Sequence, residues 1–247
     1  MYHFFVKPEQ IGEKIITIEG TDVNHIKNVL RMRPGEQICI RSGQDNIEYR
    51  CEIKSFETQS IISQIIWTEE VGMELPSKIY LFQGMPKSDK MEMIIQKAIE
   101  LGVYQIIPVA SKRAVVKLDT RKEAHKLKRW TGIAESAAKQ SKRMLIPEVT
   151  KVMSFPEAVS YASQLDVRLI PYEMEKGMKE TRQIIDGIMP GQSIAVFIGP
   201  EGGFDEQEIL LAKENGIWPI TLGRRILRTE TAGLVTLSIL MYHLERD

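Results

Sequence analysis

Two short stretches concentrate the residue types that bind or polarise a ligand. The first, Gly199-Pro200-Glu201-Gly202-Gly203, sets three glycines around a carboxylate. Glycines let a backbone approach a ligand closely and adopt φ values that other residues avoid, and Pro200 stiffens the turn. The loop suits a flat molecule of the purine kind, held by main-chain groups. Gly202 is expected at positive φ, with the space beside it reserved for the ligand. A plain strand-to-helix turn is the alternative. The spacing is neither the GxGxxG of a dinucleotide fold nor the GxxxxGK of a phosphate loop, which excludes the commonest nucleotide readings. In the second stretch, Leu222 to Ala232, Arg224, Arg225 and Arg228 crowd Glu230 at the start of the last helix. Arg228 would stabilise anionic charge, Glu230 would accept a hydrogen bond or proton, and Thr231 would cap the helix. A purely structural Arg–Glu pair is the alternative.

Both stretches follow apolar runs that read as strands, and ligands of open α/β sheets bind at the carboxyl ends of strands. The candidates are IYLFQGM (79–85), YQIIPVA (104–110), VRLIPYE (167–173), SIAVFIG (193–199) and IWPITLG (217–223). Between them, Ser88 and Asp89 open a helix with the apolar stripe Met91, Ile94, Ala98 and Leu101, closed by Gly102. Asp205 and Glu208 form a capping box for a helix ending near Gly216. The last helix is expected from Thr231. Alternation of strands and helices predicts a mostly parallel sheet covered on both faces.

Residues 1–72 differ in texture. Short runs rich in Val, Ile, Phe and Tyr alternate with polar residues, and PGE and GQDN supply turns. A small β-barrel with one helix near Thr21 to Leu30 is expected there, and a larger α/β domain over 73–247. Cys39 and Cys51 lie in strand-like runs with no CxxC and no His at ligand spacing, so both read as buried small side chains and no metal is expected. The start carries no secretory signal and no run reaches membrane-spanning length, so a soluble cytoplasmic protein is expected, without a membrane partner.

Net charge is zero, but its distribution is uneven. Residues 111–143 hold eleven Lys or Arg against Asp119, Glu123 and Glu135, a net of +8 in 33 residues. Such a field attracts phosphate backbones of any base sequence. Lys112, Arg113, Lys117, Arg129, Lys139, Gln140 and Arg143 are the RNA-binding candidates here, with His25, Arg31 and Arg33 nearer the start. A solvated helix face with spare lysines is the alternative.

The segments FIGPEGGFDEQE (197–208) and LGRRILRTETA (222–232) resemble the two signature loops of the RsmE family of 16S rRNA uridine-N3 methyltransferases, within the SPOUT superfamily. HIKNVLRMRPGEQI (25–38), KSDKMEMIIQKAIELGV (87–103) and RWTGIAESAAKQSKRMLIPEV (129–149) agree, so the resemblance is effectively full length. It implies a PUA-like β-barrel followed by a SPOUT α/β domain with a C-terminal trefoil knot, S-adenosyl-L-methionine as cofactor, a homodimer, and 16S rRNA, within the 30S subunit, as substrate. Carried over by position, the cofactor would be cradled by Pro171, Tyr172 and Glu173, by Ile198, Gly199, Pro200, Glu201, Gly202 and Gly203, and by Leu222, Gly223, Ile226, Leu227, Arg228, Thr231 and Ala232. Arg228 would then stabilise the uridine anion. Glu230 is the candidate proton acceptor, His25 a weaker one, and solvent remains open as the base. A non-catalytic RNA-binding assembly factor and methylation of another RNA atom are the rival readings.

Overall fold

A computed structural model of the chain describes residues 1–114, 120–175 and 177–245. They fall into two compact units. Residues 1–74 cluster with 138–146, and residues 75–137 with 147 onward. The change of texture near residue 72 lies close to the first break, whereas the return of 138–146 leaves no mark in composition.

In the first unit, β1 (His3–Phe5), β2 (Ile15–Glu19), β3 (Gln37–Arg41), β4 (Ile47–Phe56) and β5 (Ser60–Glu70) pair in the order β1-β3-β4-β5-β2. All neighbours are antiparallel except β1 on β3. The period-2 pattern turns Ile16, Ile18, Ile38, Ile40, Ile53 and Ile61 inward, where they are buried with Ile26. Ile26 comes from the wider turn over His25–Val29 that continues the short helix α1 (Thr21–Asn24). The segment 138–146 is fastened by buried charge. Arg41 donates to the carbonyls of Lys142 (2.7 Å) and Arg143 (3.1 Å), while the Glu74 carboxylate accepts from the Arg143 guanidinium and from the backbone N–H of Met144 at 2.9 Å.

The second unit holds a wholly parallel sheet. Its strands are β6 (Lys78–Gly84), β7 (Gln105–Ala110), β8 (Glu148–Val149), β9 (Met153–Ser154), β10 (Val167–Pro171), β11 (Ser193–Ile198) and β12 (Trp218–Ile220), in the order β12-β10-β11-β6-β7-β8 with β9 also on β7. Phe82 and Phe197 are register partners on β6 and β11, and their rings stack at 4.4 Å in a fully buried core. The helices are α2 (Lys90–Glu100), α3 (Thr120–Gln140), α4 (Phe155–Ala162), α5 (Met178–Asp186), α6 (Glu206–Glu214) and α7 (Thr229–Leu244). The first strand, β6, lies centrally, with β7 on one side and the later β11 and β10 on the other. The order therefore reverses beside β6, and the ends of β10, β11 and β12 there offer a ligand crevice. No helix among the described residues is long and apolar enough to cross a membrane.

Several expected boundaries shift for physical reasons. The last helix begins at Thr229, not Thr231, so Thr231 does not cap it. Arg228 occupies the cap position in extended conformation, and its side chain makes no cap hydrogen bond. Ser88 adopts φ 57° and stays outside α2. Only Trp218–Ile220 of IWPITLG form a strand, at the sheet edge, where Pro219 is tolerated without a donor. The capping box of α6 forms as expected: Asp205 accepts from the Gln207 N–H, and Glu208 accepts from the Asp205 N–H.

Candidate active site

The chain leaves β10, β11 and β12 in three loops that enclose a cavity of about 400 Å³. Glycine permits their closeness. A Cβ on Gly84, at the end of β6, would lie 2.7 Å from the Pro200 ring, and one on Gly199 would lie 3.3 Å from the Gly203 backbone. Gly203 (φ 67°) and Gly223 (φ 110°) hold the left-handed backbone that favours glycine. A Cβ on either would meet no protein atom within 4 Å, so both present bare backbone to the cavity.

Buried hydrogen bonds brace the loops. Gln83 of β6, fully buried, donates to the Gly84 carbonyl at 3.0 Å and to the Thr229 hydroxyl at 2.9 Å, and that hydroxyl donates to the Gly199 carbonyl. One amide thus joins the central strand, the glycine loop and the first turn of α7. The Thr221 N–H donates to the Thr181 hydroxyl (3.0 Å) and the Tyr172 N–H to the Ile220 carbonyl (3.0 Å), which fixes the other two loops.

Glu230 does not face the cavity beside Arg228 as expected, nor do the two form the alternative Arg–Glu pair. Lys90, the first residue of α2, donates to Glu201 at 2.9 Å, and its Nζ lies 3.4 Å from Glu230 Oε2. That oxygen is buried, and the second contact is a longer ion pair. Burial pushes the Glu201 carboxyl up, but hydrogen bonds from Lys90 and the Lys87 N–H, together with the Lys90 charge, hold it below its ordinary value. The Glu201 hydrogen bond, with both carboxylate charges, raises Lys90. The Arg228 guanidinium has no hydrogen-bond or ion-pair partner among the described residues. Arg224 and Arg225 likewise stand exposed at the cavity with Ile226, whose side chain is 83% exposed.

The cavity wall brings together Pro171, Tyr172, Glu173, Ile198, Gly199, Pro200, Glu201, Gly203, Leu222, Gly223, Ile226, Leu227, Arg228 and Ala232. It does not include Gly202, Thr231 or Glu230. Gly202 departs from expectation in two ways. The positive φ falls on Gly203 instead, and a Cβ on Gly202 would point at Arg113, 3.3 Å from its Cβ. Lys90, Phe204, Thr221 and Thr229 line the wall without having been singled out as ligand contacts. The only sequence signal for Lys90 is its place in the KSDK turn before α2.

Much of the basic segment is engaged within the protein. Arg143 is 5% exposed and bound to Glu74, so it is a structural group and not an RNA contact. Arg129 pairs with Glu92 at 2.7 Å, and Lys139 with Asp22 at 3.2 Å. Lys112 lies 3.5 Å from Asp205, and Arg113 donates to the Gly202 carbonyl at 3.3 Å. Lys117 falls outside the described residues. Gln140, Arg31, Arg33 and His25 are exposed, and the His25 ring stands edge-on to Phe4 at 6.3 Å. The cysteines are buried as expected, but His3 is the register partner of Cys39, and with Glu48 their donor atoms lie within 4.8 Å of one another. Chain spacing cannot show this contact between paired strands. Arg41 holds Glu48, and burial pushes the Cys39 thiol up to about 11.

Residues 73–241 match the model of the RNA methyltransferase domain, and residues 18–66 that of the RNA methyltransferase PUA domain. The chain is 40% identical over 253 aligned positions to ribosomal RNA small subunit methyltransferase E of Bacillus subtilis, covering 99% of this chain and 98% of that protein. It is 35% identical to the protein of the same name from Mesomycoplasma hyopneumoniae, covering 96% and 98%. The structure of the Neisseria gonorrhoeae ribosomal RNA small subunit methyltransferase E bound to S-adenosyl methionine superposes with a TM-score of 0.83 at 32% identity, over 98% of this chain and 97% of that one. By domain models, sequence and fold, this chain belongs to the ribosomal RNA small subunit methyltransferase E family.

Proposed function

We propose that this chain transfers a methyl group from S-adenosyl-L-methionine to N3 of a specific uridine in 16S rRNA. The observation that carries the reading is the cavity itself, in which bare glycine backbone meets carboxylates on one wall and three arginines without ion-pair partners on another. Its volume is in the range of small-molecule sites. The residues fit the cofactor. Ile198, Leu222 and Leu227 with the glycine main chain suit a flat base, Glu173 and Glu201 suit hydroxyls or a cationic sulfur, and Arg224 and Arg225 suit a carboxylate.

When bound, the cofactor supplies an electrophilic methyl group and departs with the carbon–sulfur electron pair. Uridine N3 must give up its proton, to solvent in the simplest case, and use the freed pair for the new bond. Negative charge meanwhile spreads to the flanking carbonyl oxygens. Arg228 answers that need: its guanidinium is a planar cationic donor, has no partner of its own among the described residues, and starts the helix whose N-terminus favours anions. The first unit contributes RNA binding through exposed Arg31 and Arg33, and α3 through exposed Arg121 and Lys128. Closure of the first sheet into a barrel, a trefoil knot in the C-terminal part, a homodimer, the 30S particle as substrate and a cytoplasmic site of action complete the reading.

The test is transfer of labelled methyl from the cofactor onto 30S subunits and onto free 16S rRNA. Incorporation into either supports the reading. Tight RNA binding without incorporation favours an assembly factor, and label on a ribose or guanine moves the reaction to another atom.

A further inference from the structure

We propose that Lys90 is a second catalytic cation of this site, held in place by Glu201 and Glu230, and that Glu230 is a positioning residue which does not itself touch the base. This inference rests on the uridine-N3 reading above.

The argument starts from which groups face the cavity. Lys90 and Glu201 line it and Glu230 does not. An ammonium carries three N–H donors. One is spent on Glu201 at 2.9 Å and a second is directed at Glu230, 3.4 Å away, which leaves a third. Lys90 therefore reaches the cavity with donor capacity in hand. The two carboxylates keep it charged and restrict the swing of a flexible side chain, so the donor is oriented before any ligand arrives.

No other cation pairs with Glu230 among the described residues, although Arg228 is two positions away. The groups bonded to the adjacent Thr229, the Gln83 amide of β6 and the Gly199 carbonyl of the glycine loop, are neutral. Glu230 thus has one evident electrostatic role, as the counter-charge behind Lys90. The species that gains from such a donor is the uracil anion, whose charge lies on two carbonyl oxygens. Arg228 serves one and Lys90 the other.

The experiment compares wild type with Lys90→Met, Lys90→Arg and Glu230→Gln in single-turnover transfer to 30S particles carrying either uridine or 5-fluorouridine, whose N3 is more acidic. Cofactor affinity is measured calorimetrically alongside. Lys90→Met is expected to slow transfer to uridine by on the order of 100-fold or more, as for loss of one preorganised donor, with cofactor affinity within a few-fold of wild type. Much of the loss should return on 5-fluorouridine RNA, because a more acidic N3 needs less help. Lys90→Arg should recover part of the rate, and Glu230→Gln should fall between. An equal loss on both RNAs, or a loss confined to cofactor affinity, overturns the proposal and makes Lys90 structural.

If wild type methylates no uridine, the functional reading falls. Lys90 is then judged by calorimetry with 5-nitrouridine, an N3 anion at neutral pH, against uridine. A preference in wild type that vanishes in Lys90→Met supports the inference, and its absence in wild type overturns it.

Discussion

The amide of Gln83 reaches the hydroxyl of Thr229 across 146 positions of sequence, at 2.9 Å, and through it the carbonyl of Gly199. This chain of two hydrogen bonds sets the spacing of the cavity walls. Thr229→Val keeps the shape of the side chain but strands the buried Gln83 donor, at roughly 1–3 kcal/mol, and a part-buried acceptor at Gly199. We expect urea denaturation to show a loss of that order and calorimetry to show weaker cofactor binding. Unchanged cofactor affinity in a folded variant would detach this network from the site.

The glycines separate by what surrounds them. Gly84→Ala drives a methyl to 2.7 Å from Pro200 and should displace the glycine loop, lowering both melting temperature and cofactor affinity. Gly203→Val meets open cavity but adopts φ 67° at a cost of about 1–2 kcal/mol, and its side chain occupies ligand space. Gly202→Ala, directed at Arg113, should be the mildest of the three. Calorimetric titration ranks them, and a Gly202→Ala defect as large as that of Gly203→Val would contradict the geometry.

Arg143 and Lys128 lie in the same basic segment, yet only one is free to meet RNA. Arg143→Ala leaves the part-buried Glu74 without its cation and should destabilise the protein by up to roughly 3 kcal/mol. Reversing Arg121 and Lys128 should leave stability nearly unchanged and flatten the salt dependence of RNA binding by about 0.7–0.9 in log–log slope per lost phosphate contact. A full salt slope in that double variant would return the exposed face of α3 to a merely solvated surface.

Acid stability should report on Glu48. Burial pushes its carboxyl up, but the Arg41 hydrogen bonds and charge hold it below its ordinary 4.5. A carboxylate depressed by folding stabilises fully above its unfolded value and loses that contribution as pH falls through the folded one. Stability should therefore decline below about pH 4.5, and Glu48→Gln should be less stable at neutral pH with a flatter acid limb. Parallel acid limbs in the two proteins would contradict the assignment.

The parallel strands, the capping box at Asp205 and the loops at 199–203 and 222–232 were legible because each is local: an apolar run, a spacing of three, a cluster of glycine or arginine. Helix α4 was not anticipated, although its capping box, in which Ser154 and Glu157 exchange hydrogen bonds, is as local as the one at Asp205. Glu230 was misplaced for a different reason. It was expected to point with Arg228 into the ligand site, but it follows the helix inward to Lys90, which comes from α2. Arg143 misled similarly, since charge composition cannot reveal that Glu74 buries it. Long-range partners decided both cases.

The central claim is tested most directly by nucleoside mass spectrometry of 16S rRNA after incubation of unmethylated 30S subunits with cofactor and either wild-type protein or Arg228→Ala. The account predicts N3-methyluridine at one position with wild type, and formation slowed by on the order of 100- to 1,000-fold in the variant while cofactor affinity is largely kept. Absence of N3-methyluridine with wild type, or an Arg228→Ala rate equal to that of wild type, would contradict it.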